Sequence, residues 1–121
     1  MAFKKDLPLL VLGILQDEGL HGYEIAKRIR DVSEKSLDVA EGRLYPALHK
    51  LELDGLIQAE WIEQDARPAR KVYSLTEAGQ SELSKQRKAW RAFADSVDTI
   101  LSPDRLTKPS SIVRLPSWWL A

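Results

Sequence analysis

The sequence predicts a mainly α fold with a small β-hairpin (α+β), and three observations predict it. Apolar residues recur at helical spacing in three short stretches before residue 57. Over residues 57–75 the spacing changes to the alternation of extended strands. From residue 77 the helical spacing returns and holds to residue 101. A chain of 121 residues is one domain by size, with room for a modest core.

Phe3, Leu7, Leu10, Val11, Ile14 and Leu15 mark a first helix from about Lys4 to Asp17. Pro8 is tolerated in its first turn, where its missing N–H has no partner to lose. Leu9 and Leu12 make this helix apolar almost all round, so it needs cover on two sides. Glu18 to Gly22 reads as a turn, with Gly19 as the stop signal. In the second helix, Tyr23–Val32, the residues Ile25, Ile29 and Val32 face inward, and Lys27, Arg28 and Arg30 face out.

After a connection from Ser33 to Ala40 comes the stretch Glu41 to Ile57, around which the chain is organised. Leu44, Leu48, Leu51 and Leu56 draw an apolar stripe, and Gly55 supplies the left-handed residue that ends a helix. Pro46 belongs in a first turn, so the helix begins near Arg43, or at Glu41 with an irregular opening turn. Arg43, Tyr45, His49 and Lys50 fall off the stripe and face outward. A buried leucine face with such an outer face suits a helix that reads DNA; taken alone, the stretch suits an ordinary surface helix equally well. Helix, turn, short helix, turn, helix is a helix-turn-helix order.

The two strands, near residues 57–62 and 72–75, are joined by the polar connection Glu63 to Arg70, which includes Pro68. A hairpin directly after a recognition helix is a wing, and its tip offers the cations Arg67, Arg70 and Lys71. Thr76 is a good N-cap for the last helix, and Gly79 near its start costs about 1 kcal/mol relative to Ala. Leu83, Trp90 and Val97 repeat every seven residues, interleaved with Gln86, Phe93 and Ile100. Nothing in the preceding three helices and wing obviously covers that stripe, so it reads as a dimer face formed by Leu83, Trp90, Phe93, Val97 and Ile100. The expected architecture is therefore a winged helix-turn-helix over residues 1–76, with a long C-terminal dimerisation helix over 77–101. Ser102 and Pro103 stop that helix, and 102–121 is a Pro/Ser-rich tail with Trp118 and Trp119, to which the sequence assigns no role.

Composition excludes more than it supports. Lys+Arg and Asp+Glu number 18 each, so any contact with nucleic acid must come from a local basic face rather than net charge. The chain has no cysteine, which rules out disulfides and thiolate metal sites, and with no secretion signal the cytoplasm is expected. The apolar run from Leu7 to Leu15 cannot span a bilayer, so no membrane is expected. With His21 and His49 as the only histidines, no metal and no cofactor is expected. Neither a Ser/His/Asp arrangement nor a phosphate-cradling glycine loop is present, and the chain does not read as an enzyme.

Four motifs in order carry a family resemblance: Leu20 to Ile25 (LHGYEI), Gly42 to Leu48 (GRLYPAL), Leu51 to Ile57 (LELDGLI) and Arg70 to Gly79 (RKVYSLTEAG). The chain resembles the PadR-like transcriptional regulators over residues 7–101 and, lacking an extra helical domain, is similar to their short class. The resemblance implies a dimeric repressor that binds double-stranded DNA and releases it when a small-molecule effector binds or a signal arrives; the two-fold symmetry of such a dimer then predicts an inverted-repeat operator. In the short class some members hold flat aromatic compounds between the paired last helices, against a Trp. It therefore implies a planar aromatic effector near Trp90 and Phe93. The first helix is expected to pack across the partner's last helix. The chain departs from the family at Ala66, where a Gly is usual near Arg67, and from Ser110 to Ala121, which match nothing in it. The DNA contacts expected are Arg43, Tyr45 and His49 at base edges and Lys50, Arg67, Arg70 and Lys71 at phosphates. The alternatives are a winged-helix protein-interaction module and a small-ligand-binding dimer without DNA binding, both consistent with the neutral charge balance.

Overall fold

The computed structural model describes residues 3–103, with side chains from Asp6 onward. Its elements are α1 (Phe3–Ile14), β1 (Leu20–His21), α2 (Gly22–Val32), α3 (Glu41–Leu53), β2 (Ile57–Gln64), β3 (Arg67–Leu75) and α4 (Glu77–Leu101). This is the expected α+β winged helix-turn-helix, with one strand more than the sequence suggested. The side chain of Phe3, and Leu115, Trp118, Trp119 and Leu120 of the tail, lie outside the described residues. The chain divides after Arg87 into two compact units, so the opening turns of α4 belong with the winged helix-turn-helix.

The core of the first unit is aliphatic. Leu7, Val11, Leu12 and Leu15 of α1 meet Ile25 and Ile29 of α2 and Leu44, Leu48 and Leu51 of α3. Ile57 and Tyr73 close it from the strands, and Leu83 from α4. The apolar girdle of α1 is only partly used, since Leu9, Leu10 and Ile14 remain partly buried. Val32 departs from its expected inward position and is 65% exposed, while Val39 of the following connection is 6% exposed. Val32 is the last residue of α2, beyond the part of the helix that crosses the core.

The segment read as a turn before α2 contains β1, which corrects the two-stranded reading. Leu20 pairs with Tyr73 and His21 with Val72, giving an antiparallel sheet of order β1-β3-β2. Two residues are too few to show a period, so no strand signal was available to the sequence. Gly19 is needed for the approach itself. A Cβ there would sit 3.1 Å from Val72 Cγ1 and 3.2 Å from the Tyr73 carbonyl oxygen. The first helix ends at Ile14, short of the expected Asp17.

The α3 helix starts at Glu41 and keeps Pro46 inside it, with the irregular opening turn as the device. Arg43 N–H and Leu44 N–H both donate to the Ala40 carbonyl, at 3.0 and 3.1 Å. At its other end Gly55 has φ +76°. Leu56 N–H donates to the Leu51 carbonyl at 3.0 Å and Gly55 N–H to that of Glu52 at 3.1 Å, the two bonds of a Schellman cap.

The wing is longer than the alternation indicated. β2 and β3 run through most of the expected polar connection to a two-residue tip, Asp65-Ala66, where Ala66 takes the left-handed φ of 57° usually left to Gly. The register runs Ile62↔Arg70 and then Gln64↔Arg67, so β3 carries one extra residue there. Pro68 falls in that bulge, where a missing N–H removes no ladder bond. Thr76 caps α4 as expected: its hydroxyl accepts Gly79 N–H at 3.0 Å and donates to the Gly55 carbonyl at 2.7 Å.

Candidate nucleic-acid interface

With Leu44, Leu48 and Leu51 buried, the outer face of α3 is a broad open surface. Successive helical residues turn by about 100°, which places Arg43 and Lys50 on one flank of that face and Tyr45 and His49 on the other. Arg43 and His49 are exposed and make no hydrogen bond or ion pair among the described residues. Lys50 is held at 3.0 Å by Asp54, the C-cap residue of the same helix. Tyr45 lays its ring on α2: a Cβ at Gly22 would meet Tyr45 Cε1 at 2.8 Å and its hydroxyl oxygen at 3.0 Å. The absent side chain at Gly22 thus makes room for Tyr45, which stays 45% exposed.

The wing cations differ from one another. Arg67, at the tip, is exposed and unpaired among the described residues. Arg70 points back to β1, its guanidinium 2.8 Å from His21 Nε2. Lys71 reaches Glu52 of α3 at 3.4 Å and lies 5.2 Å from the centroid of the Tyr73 ring. Burial by itself lowers the Lys71 pKa, but the adjacent Tyr73 and the hydrogen bond and charge of Glu52 outweigh it, and the pKa is raised above 10.5. Lys50 and Lys71 would therefore have to leave a carboxylate before gripping a phosphate, whereas Arg43 and Arg67 would not.

Tyr45 of α3 and Arg70 and Lys71 of the wing line one open groove of about 480 Å³. His21, Tyr23, Trp61 and Tyr73 complete its walls, with Gly22 beneath Tyr45. Recognition helix, wing and the start of α2 thus share a single surface. Sequence reasoning had not brought His21, Tyr23 or Trp61 to it. The LHGYEI motif was a signal for the first two; Trp61 carries none, because it shares a strand face with the core residue Ile57 and only the reach of the strand past the core exposes it, to 68%.

Of the stripe assigned to dimerisation, Leu83 is already in the core of its own chain, at 9% exposure. In the second unit Trp90 and Phe93 are exposed neighbours, ring centroids 6.0 Å apart and tilted by 43°. Val97 is half-buried and Ile100 is 66% exposed. No helix among the described residues is long and apolar enough to cross a membrane. Nor do the described residues contain a group of three or more His, Asp or Glu placed to hold a metal ion.

A three-helix core, a recognition helix open on one side and a wing beside it define a winged helix-turn-helix protein. The family model for the PadR-like transcriptional regulators matches residues 11–85, and the chain belongs to that family. It is a transcriptional regulator and not an enzyme. A transcriptional regulator of Mycobacterium tuberculosis is 38% identical over 89 residues, 74% of this chain and 79% of that protein. A PadR family regulator from Clostridium difficile superimposes with TM-score 0.72 at 32% identity, covering 80% of this chain and 99% of that one. The negative transcriptional regulator PadR of Bacillus subtilis is 30% identical over 77 residues, 64% of this chain and 42% of that protein. The structure of that protein with operator DNA matches in fold at TM-score 0.59 and 23% identity, covering 94% of this chain and 55% of that one.

Proposed function

We propose that the protein is a homodimeric, cytoplasmic repressor that binds an inverted-repeat operator and leaves it when a small molecule binds. The observation that carries this reading is the shared surface of α3 and the wing, where Tyr45, Arg70 and Lys71 line one groove. A duplex can engage a recognition helix and its wing together only when both open on the same side. The Bacillus subtilis regulator, which shares this fold, was solved in complex with operator DNA, and that supports DNA as the partner of this surface. In this reading Arg43, Tyr45 and His49 approach base edges, and Lys50, Arg67, Arg70 and Lys71 hold phosphates.

The exposed residues Trp90, Phe93 and Ile100, together with half-buried Val97, support a dimer through the second half of α4, with the half-covered Leu9, Leu10 and Ile14 of α1 available to its mate. Burying each such side chain is worth about 1.5–3 kcal/mol, enough in sum to favour association. Two-fold symmetry then sets half-sites one helical turn, about 34 Å, or a multiple of it apart. A planar aromatic effector would lie near Trp90 and Phe93, whose rings offer stacking faces.

The test is a mobility-shift series across salt concentrations on DNA upstream of the protein's own gene, with matched and scrambled repeats. Arg67→Ala removes two phosphate contacts per dimer and should flatten the log–log salt slope by about 2 with sequence preference retained. Arg43→Ala should cost about 1–3 kcal/mol per contact and relax preference at one position. A wild-type protein with no salt slope would overturn the proposal in favour of a protein-interaction module.

A further inference from the structure

The outermost line of the recognition helix is not its most polar one. Leu44, Leu48 and Leu51 fix the buried face of α3, and at about 100° per residue Leu53 falls about 180° from Leu44. Gly42, Pro46 and His49 fall within about 40° of the same line. All four are exposed, Leu53 to 72%. Arg43, Lys50 and Tyr45 lie to either side of it. Of the four residues on the line, only His49 can hydrogen-bond through its side chain. The part of α3 that projects furthest is therefore largely apolar, and a leucine ends it.

The surroundings of Leu53 present it to a polyanion. Its two neighbours in the chain are carboxylates, and each is matched by a cation: Glu52 by Lys71 of the wing at 3.4 Å, Asp54 by Lys50 at 3.0 Å. Phosphates can approach this end of the helix without meeting an unpaired negative charge beside Leu53. Directly after Asp54, Gly55 takes its left-handed conformation and Leu56 N–H bonds the Leu51 carbonyl. The chain turns back to the buried Ile57 and leaves Leu53 projecting.

In the major groove the edge of a base pair offers one apolar feature, the C5-methyl group of thymine. We infer that Leu53 reads that methyl group: the operator half-site carries a thymine facing the C-terminal end of α3, and Leu53 is a specificity-determining residue. Arg43 discriminates between bases by hydrogen bonds. Leu53 discriminates by shielding from water a methyl group that cytosine lacks. The inference rests on the DNA reading proposed above and adds a base identity to it.

The test uses the duplex upstream of the protein's own gene in two forms, one with thymine and one with every thymine replaced by deoxyuridine. The exchange removes the methyl groups and keeps every hydrogen-bonding edge. Burying one methyl group is worth about fourfold in affinity, so two half-sites give about fifteenfold. Wild-type protein should prefer the thymine duplex by about fifteenfold or more. Leu53→Ala should reduce that ratio by about fivefold or more, whereas Leu53→Met, similar in volume, should keep most of it. Val32→Ala, at an exposed apolar position of α2, should leave the ratio at its wild-type value. Single exchanges along the half-site should trace the part that depends on Leu53 to one position. Equal affinity of the wild type for both duplexes overturns the inference and leaves the DNA reading standing. A thymine preference that Leu53→Ala keeps in full overturns it too, since the methyl groups would then be read by other residues. A wild-type protein that binds neither duplex overturns the DNA reading, and the inference with it.

Discussion

Replacing Gly79 by alanine adds one methyl group to the first turn of α4. Helix propensity alone favours the exchange by up to about 1 kcal/mol. Packing opposes it. A Cβ at this position runs into the Leu56 carbonyl oxygen and comes within 3.2 Å of Leu75 Cδ2. The obstacle is backbone, and it is tied down: Leu56 accepts Thr76 N–H at 3.2 Å, while its own N–H completes the cap of α3. Moving it strains the junction between recognition helix, wing and α4. Overpacking of this kind costs about 1–3 kcal/mol, and losing the Thr76 bond about 1 more. After the propensity gain is subtracted, Gly79→Ala should destabilise the protein by about 1–3 kcal/mol. Urea denaturation at fixed protein concentration should show a lower midpoint with an unchanged slope. Gly42→Ala is the control, since nothing lies within 4 Å of a Cβ there. It should be neutral or stabilising by up to about 1 kcal/mol. A Gly79→Ala protein as stable as wild type would refute the reasoning.

Other substitutions probe separate parts of the structure. Ala66→Gly relieves a left-handed residue at φ 57° and should stabilise the wing by up to about 1 kcal/mol, read from the same urea transitions. Thr76→Ala removes both hydroxyl bonds of the α4 cap and should cost about 0.5–2 kcal/mol; no change would mean that the cap is not holding the helix. Lys71 has its pKa raised in the folded state, so its contribution is fully present below pH 10.5 and is lost as pH rises through the folded value. Glu52→Gln should lower the Lys71 titration midpoint seen by NMR and soften that alkaline loss, and an unmoved midpoint would dismiss the pair. Phe93→Asp places a charge on the exposed stripe of α4 and should give monomers or insoluble protein; an intact dimer in sedimentation would count against the proposed interface.

Much of the molecule was legible in one dimension, because the signals there are local. Leucines at helical spacing identified α1 and α3, Gly55 marked the end of the recognition helix, and Thr76 marked the start of α4. Each depends on a residue's own conformational preference or on neighbours within one turn. The motifs around Gly42, Tyr45 and Thr76 then indicated the family from sequence order alone. What remained hidden was made by residues far apart in the chain. β1 exists only because Leu20 and His21 find Tyr73 and Val72 across the sheet, and two residues carry no period of their own. Gly79 read as a tolerated cost until the Leu56 carbonyl was seen to fill the space its side chain would need. Leu83 fitted a heptad, yet the core of its own chain claims it. The groove draws His21 from β1, Tyr23 from α2, Tyr45 from α3 and Trp61 from β2. Periodicity says which face of an element is apolar; only the packed chain says what that face meets, and where polar and aromatic groups from different elements converge.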